Sequence, residues 1–282
     1  MNPTFLSRAA ACSLLAGIAF AAFGCTPSSA GGGSGAPAPE GPARFSYAPF
    51  DMTYRIASHT RQDQDFGGQV NTTEYAMYWH VSAVNDPPSL TYTVDSVPAV
   101  TGANPGIDAG DLRAAAGAVF TGTLSPDGRV ERFTGGDDTN AFLQQLAQSL
   151  ERFLPRVPVE GAAPGESWID TLETTTSSGG LEIRVELITR SQADSWVSQE
   201  EHQALLLSMV TEYTLTGSGT QLGTEIDLDG TGIRHATLYL GSDGRFLGGF
   251  SADTANMMAT VVAMGSVIPI TQVRHDTVTV VR

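Results

Sequence analysis

The chain has 282 residues, with 30 Asp plus Glu against 15 basic residues, all of them arginine, for a formal net charge of −15. An acid excess of this size excludes nucleic acid as an expected partner, because affinity for it comes from basic contacts with phosphate. It also argues against docking flat on an anionic lipid surface.

Residues 9–24 form an apolar run of 16, preceded by the single charged side chain Arg8. A membrane-spanning helix needs about 20 apolar residues, so the run reads as a secretory signal over residues 1–24. Its last residues, Ala22-Phe23-Gly24-Cys25, resemble a bacterial lipobox. That resemblance implies cleavage before Cys25, diacylation of its thiol and acylation of its new amine. The alternative is ordinary secretion, with cleavage after a site such as Ala19-Phe20-Ala21. The only other cysteine, Cys12, lies in the discarded segment, so no disulfide is expected in the mature chain. Loss of Arg8 and of no acid leaves 30 acids against 14 arginines, or −16. Residues 25–44 carry the lipid site and then TPSSAGGGSGAPAPEGPAR, a tract with almost no large apolar side chain. Such a tract cannot bury enough surface to fold and would span about 25 Å as a flexible tether. Thr26 after the cysteine, rather than Asp, is compatible with the outer membrane, facing the periplasm, under the proteobacterial sorting rule.

Residues 45–282 form the expected folded body. Alternation with period two dominates it. Met52, Tyr54 and Ile56 alternate with Thr53 and Arg55; Tyr75, Met77, Trp79 and Val81 alternate with Glu74, Ala76, Tyr78, His80 and Ser82. Leu181, Ile183, Val185 and Leu187 stand opposite Glu182, Arg184 and Glu186. SLTYTV, LLLSMVTEYTL, TQLGTEIDL and TVTVV continue the pattern, giving about eleven or twelve strands. The turn signals DFGGQ, SPDGR, SSGG and GSDGR join them. One apolar face per strand predicts an antiparallel sheet, wet on one side and covered on the other.

Two helices are expected to supply the cover. The first spans 138–154, capped by Asp138 or Thr139, with a stripe of Leu143, Leu146, Ala147, Leu150 and Leu154 widened by Phe142 and Phe153. The second spans 253–265 and is apolar on nearly every side. A shorter helical stretch lies at 107–117. Both long stretches follow an Asp-Gly-Arg hairpin and precede an X-Pro-X element, Val157-Pro158-Val159 and Ile268-Pro269-Ile270. This order predicts an internal strand-hairpin-helix-strand repeat, although Asp-Gly is itself the commonest hairpin turn.

Motifs for chemistry are missing. His59, His80, His202, His235 and His275 show no zinc spacing. No G-x-S-x-G, H-E-x-x-H or phosphate loop occurs. Asp227-Leu228-Asp229-Gly230 is only a fragment of a calcium loop. No catalytic residue, metal or cofactor is therefore expected. Met257, Val261 and Met264 of the second helix are expected to face Leu143, Leu146 and Leu150 of the first across an apolar gap. Methionine suits a wall that accommodates chains of varying shape.

The pattern Gly-x-Leu-x-x-x-Gly-Arg-Val over 122–130 includes Gly128. It is followed by Pro-x-x-Pro-Val over 155–159, with Pro158, and by Gly165-x-x-Trp168. Together they resemble a family of bacterial envelope lipoproteins whose domain has no assigned activity, over most of 45–282. Gly128, Pro158, Gly165, Trp168 and the second turn glycine, Gly244, are read as structural, with the Trp168 ring on the covered face. More distantly the layout resembles the lipoprotein-carrier half-barrels, a likeness of architecture alone.

The fold class expected is mainly β (α+β): a large, curved, half-barrel-like antiparallel sheet with two helices on its concave face. The function expected is a non-catalytic, membrane-anchored lipoprotein that binds a lipid or acyl chain. The alternative is a structural adaptor that meets a protein partner through its acidic surface; a hydrolase is third. Replacing the anchor, Cys25→Ser, should abolish incorporation of labelled palmitate. Label that persists in this variant would refute the lipobox reading.

Overall fold

The computed structural model describes residues 42–102, 109–137, 140–178, 180–199, 201–221 and 223–281. The signal segment, Cys25 and most of the tether lie outside the described residues, as do Asp138 and Thr139.

The expected class is the one observed. Among the described residues eleven strands form one antiparallel sheet: β1 (Phe50–Asp65), β2 (Val70–Asp86), β3 (Ser89–Gly102), β4 (Val119–Leu124), β5 (Val130–Gly135), β6 (Ser167–Ser178), β7 (Leu181–Gln199), β8 (His202–Gln221), β9 (Thr224–Gly241), β10 (Phe246–Val261) and β11 (Ser266–Val281). Their spatial order is β5-β4-β3-β2-β1-β11-β10-β9-β8-β7-β6. The first and last strands therefore pair at the centre, from Thr53↔Val281 to Gln64↔Ile270. Two meandering wings spread outward and leave β5 and β6 as the edges. Helix α1 (Ala109–Ala115) joins β3 to β4, and α2 (Ala141–Glu151) lies in the connection from edge β5 to edge β6. No helix among the described residues is long and apolar enough to cross a membrane.

Many strands run 14 to 20 residues, and the sheet bends where their register shifts. Shifts occur in β3 between Val94 and Ala99, in β7 between Ala193 and Trp196, and in β10 between Phe246 and Gly249. An extra residue in one strand kinks it and strengthens its twist. Gly248, at φ 92°, supplies the left-handed backbone that the β10 bulge requires.

Helix α2 begins at Asn140, whose side chain accepts from Leu143 N at 3.0 Å. This residue, rather than Asp138 or Thr139, is the observed cap. The apolar stripe is borne out: Phe142, Leu143, Leu146, Leu150, Phe153 and Leu154 are all buried. Phe153, just past the helix, is the centre of an aromatic cluster. Its ring lies 5.0 Å from Tyr54 of β1, 5.9 Å from Tyr92 of β3 and 5.5 Å from Phe246 of β10. The three partners stand on both wings, and Tyr54 Oη closes the group by donating to Phe246 O at 2.8 Å.

The second predicted helix is a correction. Residues 253–261 belong to strand β10, and only Val262–Met264 turn, as a single 3₁₀ turn. Asp253, Ala255, Met257, Ala259 and Val261 point inward, and Thr254, Asn256 and Met258 outward. The alternation was masked because one inward residue is charged and one outward residue is apolar. Pairing with β9 and β11 along the whole segment overrides the helical preference of Ala and Met. The second helix of the fold is instead the short α1, within the predicted 107–117. TQLGTEIDL is also two elements, since the chain turns between Gln221 and Thr224.

The internal repeat holds only for its hairpins. Ser125 N donates to Arg129 O at 2.9 Å and Gly128 N to Ser125 O at 2.9 Å; Gly241 N donates to Arg245 O at 2.7 Å and Gly244 N to Gly241 O at 2.9 Å. After these matching turns one copy enters α2 and the other continues as strand. Both turns hold the entering chain: Gly128 lies against Tyr47, and Gly244 O accepts from Ala48 N at 3.2 Å.

Truncation of the central ring, Phe153→Ala, should lower unfolding free energy by about 3 to 5 kcal/mol. The measurement is a urea titration, and an unchanged midpoint would reject the central role given to this ring.

Candidate functional site

Antiparallel register places inner-face residues of neighbouring strands in rows across the sheet. One row reads Asp170, Thr189, Thr211, Arg234, Asp253, Arg274, Thr60 from β6 to β1. The next reads Trp168, Ser191, Met209, Ala236, Ser251, Asp276, Ser58. These largely polar rows divide the interior. On one side lies the large apolar core with α2 and the aromatic cluster. On the other lies a smaller cluster made only of β7–β11 residues, among them Leu181, Ile183, Leu215, Ile226, Met257 and Ile270. No helix belongs to that smaller cluster.

The polar rows carry a buried charge network. Tyr213 Oη donates to Asp253 Oδ1 at 2.8 Å, and Arg234 Nε stands 3.9 Å from Asp253 Oδ2. Arg274 Nε donates to Asp276 Oδ1 at 2.8 Å, and Ser58 Oγ donates to the same oxygen. Tyr213 reaches Asp253 by crossing β9 at Gly232, where a methyl group would overlap its ring. Burial pushes the Asp253 and Asp276 carboxyls above the usual range, and the neighbouring guanidiniums pull them only partly back. Burial also lowers Arg234, against the opposing charges of Asp253 and Asp276.

Beside this network a recess of about 500 Å³ opens between α2 and the inner face of β6–β9. Its floor includes Leu172, Leu187, Met209, Ala236 and Leu238, with Thr189, Thr211 and Arg234 among them. Its roof is Gln148 to Arg156. Three residues spaced by four bind the roof to edge β6. Gln148 Nε2 donates to Thr176 Oγ1 at 2.8 Å, Arg152 Nη2 to Thr174 Oγ1 at 2.9 Å, and Arg156 Nη1 to Asp170 Oδ2 at 2.7 Å. Arg156 also lies 3.7 Å from Asp127 of the β4–β5 turn, so it bridges the two edge hairpins. The recess lies within the size range of small-molecule sites.

The structure separates the predicted cavity residues. Leu143, Leu146 and Leu150 are packed in the large core, while Met257 is buried in the small one and Val261 is buried at the far end of β10. Met264 is 71% exposed. The gap expected between these two sets does not exist, because their common premise, a helix at 253–265, is a strand. The structural residues stand in turns: Gly128, Gly165 and Gly244 have φ 82°, 86° and 83°, and Pro158 O accepts from Gly161 N at 2.8 Å. Trp168 enters β6 on the inner face, half-buried, and its indole borders the recess. Its Nε1 has no acceptor among the described residues.

Sequence reasoning did not single out Arg152, Thr174, Thr189, Thr211 or Arg234. The one signal that could have found the roof is Gln148, Arg152 and Arg156 at spacing four, the polar counterpart of the leucine stripe. No protein-family profile matches this chain, and no curated protein matches it significantly.

The network sets a pH dependence. With Asp253 raised in the folded state, the folded protein binds more protons than the unfolded chain above the ordinary carboxyl pKa of about 3.9. Its contribution is fully present below that value and is lost as pH rises through the folded-state pKa. The stability difference between wild type and Asp253→Asn, measured by urea titration from pH 3 upward, should therefore move against wild type across this window. A difference independent of pH would reject the assignment.

Proposed function

We propose that this protein is a non-catalytic envelope lipoprotein, anchored by an acylated Cys25 in the outer membrane and facing the periplasm. It binds a lipid or acyl chain between its sheet and α2. The observation that carries this reading is the recess of about 500 Å³ under α2, with Leu172, Leu187, Met209, Ala236 and Leu238 in its lining. A close-packed interior would have favoured the adaptor alternative. Such space, partly apolar and with a few convergent polar groups, is the usual form of a small-molecule site. The curved antiparallel sheet agrees with the half-barrel architecture to which the sequence pointed, and that likeness supports fold more than function.

The site moves from where the leucine and methionine pattern put it. The ligand lies against the C-terminal end of α2 and the inner face of β6–β9, and the helix stripe itself is consumed by the core. The 19 residues between Cys25 and the body would let it stand off the bilayer by about 25 Å.

Native mass spectrometry of the intact acylated protein, released from membranes, tests the reading. It should show one lipid mass retained beyond the covalent acyl groups. A protein that never carries such a mass, even after incubation with fatty acids or membrane lipids, would count against the carrier reading and favour the adaptor.

A further inference from the structure

The recess is cationic inside an acidic protein. Four arginines border it: Arg129, Arg152, Arg156 and Arg234. Arg129 and Arg156 are neutralised by Asp127 and Asp170, at 3.6 Å for Arg129–Asp127 and 2.7 Å for Arg156–Asp170. Of the acids on the rim, Glu173 is 3.0 Å from Arg184 and Glu151 is exposed at the end of α2. Arg152 differs from the other arginines. Its guanidinium donates to the neutral Thr174 hydroxyl, and no carboxylate of the described residues lies within ion-pair distance of it. Deeper in, Arg234 shares Asp253 with the Tyr213 hydroxyl at the limit of ion-pair distance.

Counting the interior groups, Arg152, Arg234 and Arg274 face Asp253 and Asp276. One positive charge is in surplus, in a chain whose net charge is −15. A partly buried cation that no carboxylate contacts is costly; burial together with the Arg234 charge lowers the Arg152 pKa, and the exposed Glu151 offsets this in part. An anion between the two guanidiniums removes that cost. The polarity of the floor then orients the rest of such a ligand. Successive inner-face positions of β9 run Arg234, Ala236, Leu238, from the polar row toward the large core. Met209 pairs beside Ala236 in the same cross-strand row, Trp168 stands at the β6 end of that row, and Leu154 closes the roof.

We propose that the recess recognises an anionic amphiphile, its carboxylate or phosphate head held between Arg152 and Arg234 and its chain laid along Ala236 and Leu238, beside Met209. This inference rests on the proposed lipid-binding role and names the class of lipid. Thr174 aims the Arg152 guanidinium, and the Thr189 and Thr211 hydroxyls, 2.9 Å apart, offer further hydrogen bonds to a head group.

The test uses the full chain carrying Cys25→Ser, which removes only the acylation position, with two fluorescent probes: dansyl-undecanoic acid and its methyl ester. They share a chain and differ in charge. The acid should bind saturably and about tenfold or more tighter than the ester, the gain of a charged hydrogen bond. Arg152→Gln should erase that preference, and Arg152→Lys should restore part of it. Equal binding of acid and ester by the unmodified recess overturns the head-group assignment and leaves lipid binding intact; this comparison needs no recess variant to fold. Binding of neither probe overturns the lipid-binding reading and the present inference with it. A calorimetric titration with inorganic phosphate and with acetate separates a lipid head from a free anion. Either ion binding as tightly as the acid overturns the amphiphile. Weak or undetectable binding of both supports it.

Discussion

The packing of Phe153 against Tyr54, Tyr92 and Phe246 is the contact on which the functional architecture depends. The sheet is open, with edges β5 and β6 far apart in its strand order. Only the chain through α2 joins those edges, and nothing in the strand pairing dictates where that chain lies. Placing one aromatic ring among partners from β1, β3 and β10 fixes the end of α2 over the concave face. The recess exists because of this placement, since its roof is the segment on either side of Phe153. Aromatic groups of this kind contribute area burial together with edge-to-face geometry.

Polar contacts complete what the ring begins. Gln148, Arg152 and Arg156 bind the roof to the inner face of β6. They give an edge strand a partner other than a second chain, which is one way in which proteins protect exposed edges. Arg156 adds the β4–β5 turn through Asp127. These are neutral or partly exposed interactions of modest individual strength. The roof is therefore seated mainly by apolar packing and oriented by its polar side chains.

The buried network across β9, β10 and β11 has a different character. Removing two carboxylates and two guanidiniums from water is expensive, and the pairing returns only part of that cost. The network nonetheless separates the apolar residues of the concave face into two clusters. It also places Arg234 at the boundary between the polar rows and the recess. The smaller cluster needs no helix because its five strands curl around their own side chains. Gly232 beneath Tyr213 and Gly230 beneath Met257 leave the space for that curl.

Much of the scaffold was legible in residue order alone. Period-two alternation in Met52–Ile56 and Leu181–Leu187 identified strands and their buried faces, because side chains on a strand alternate between core and solvent. The Asp-Gly turns and the leucine stripe of α2 were equally local signals. The segment 253–265 was not legible: strand and helix both suit Ala, Met and Thr there, and only hydrogen bonding to β9 and β11 settles the choice. The recess was hidden for a related reason. Arg152, Thr174 and Arg234 lie on three separate elements, and no spacing along the chain brings them together. Their meeting is a consequence of sheet register and of the seating of Phe153, both of them long-range contacts. The sequence by itself thus determined the strands, their inward faces and one helix. Tertiary structure decided which polar groups share the interior, because that depends on pairings between residues distant in the chain.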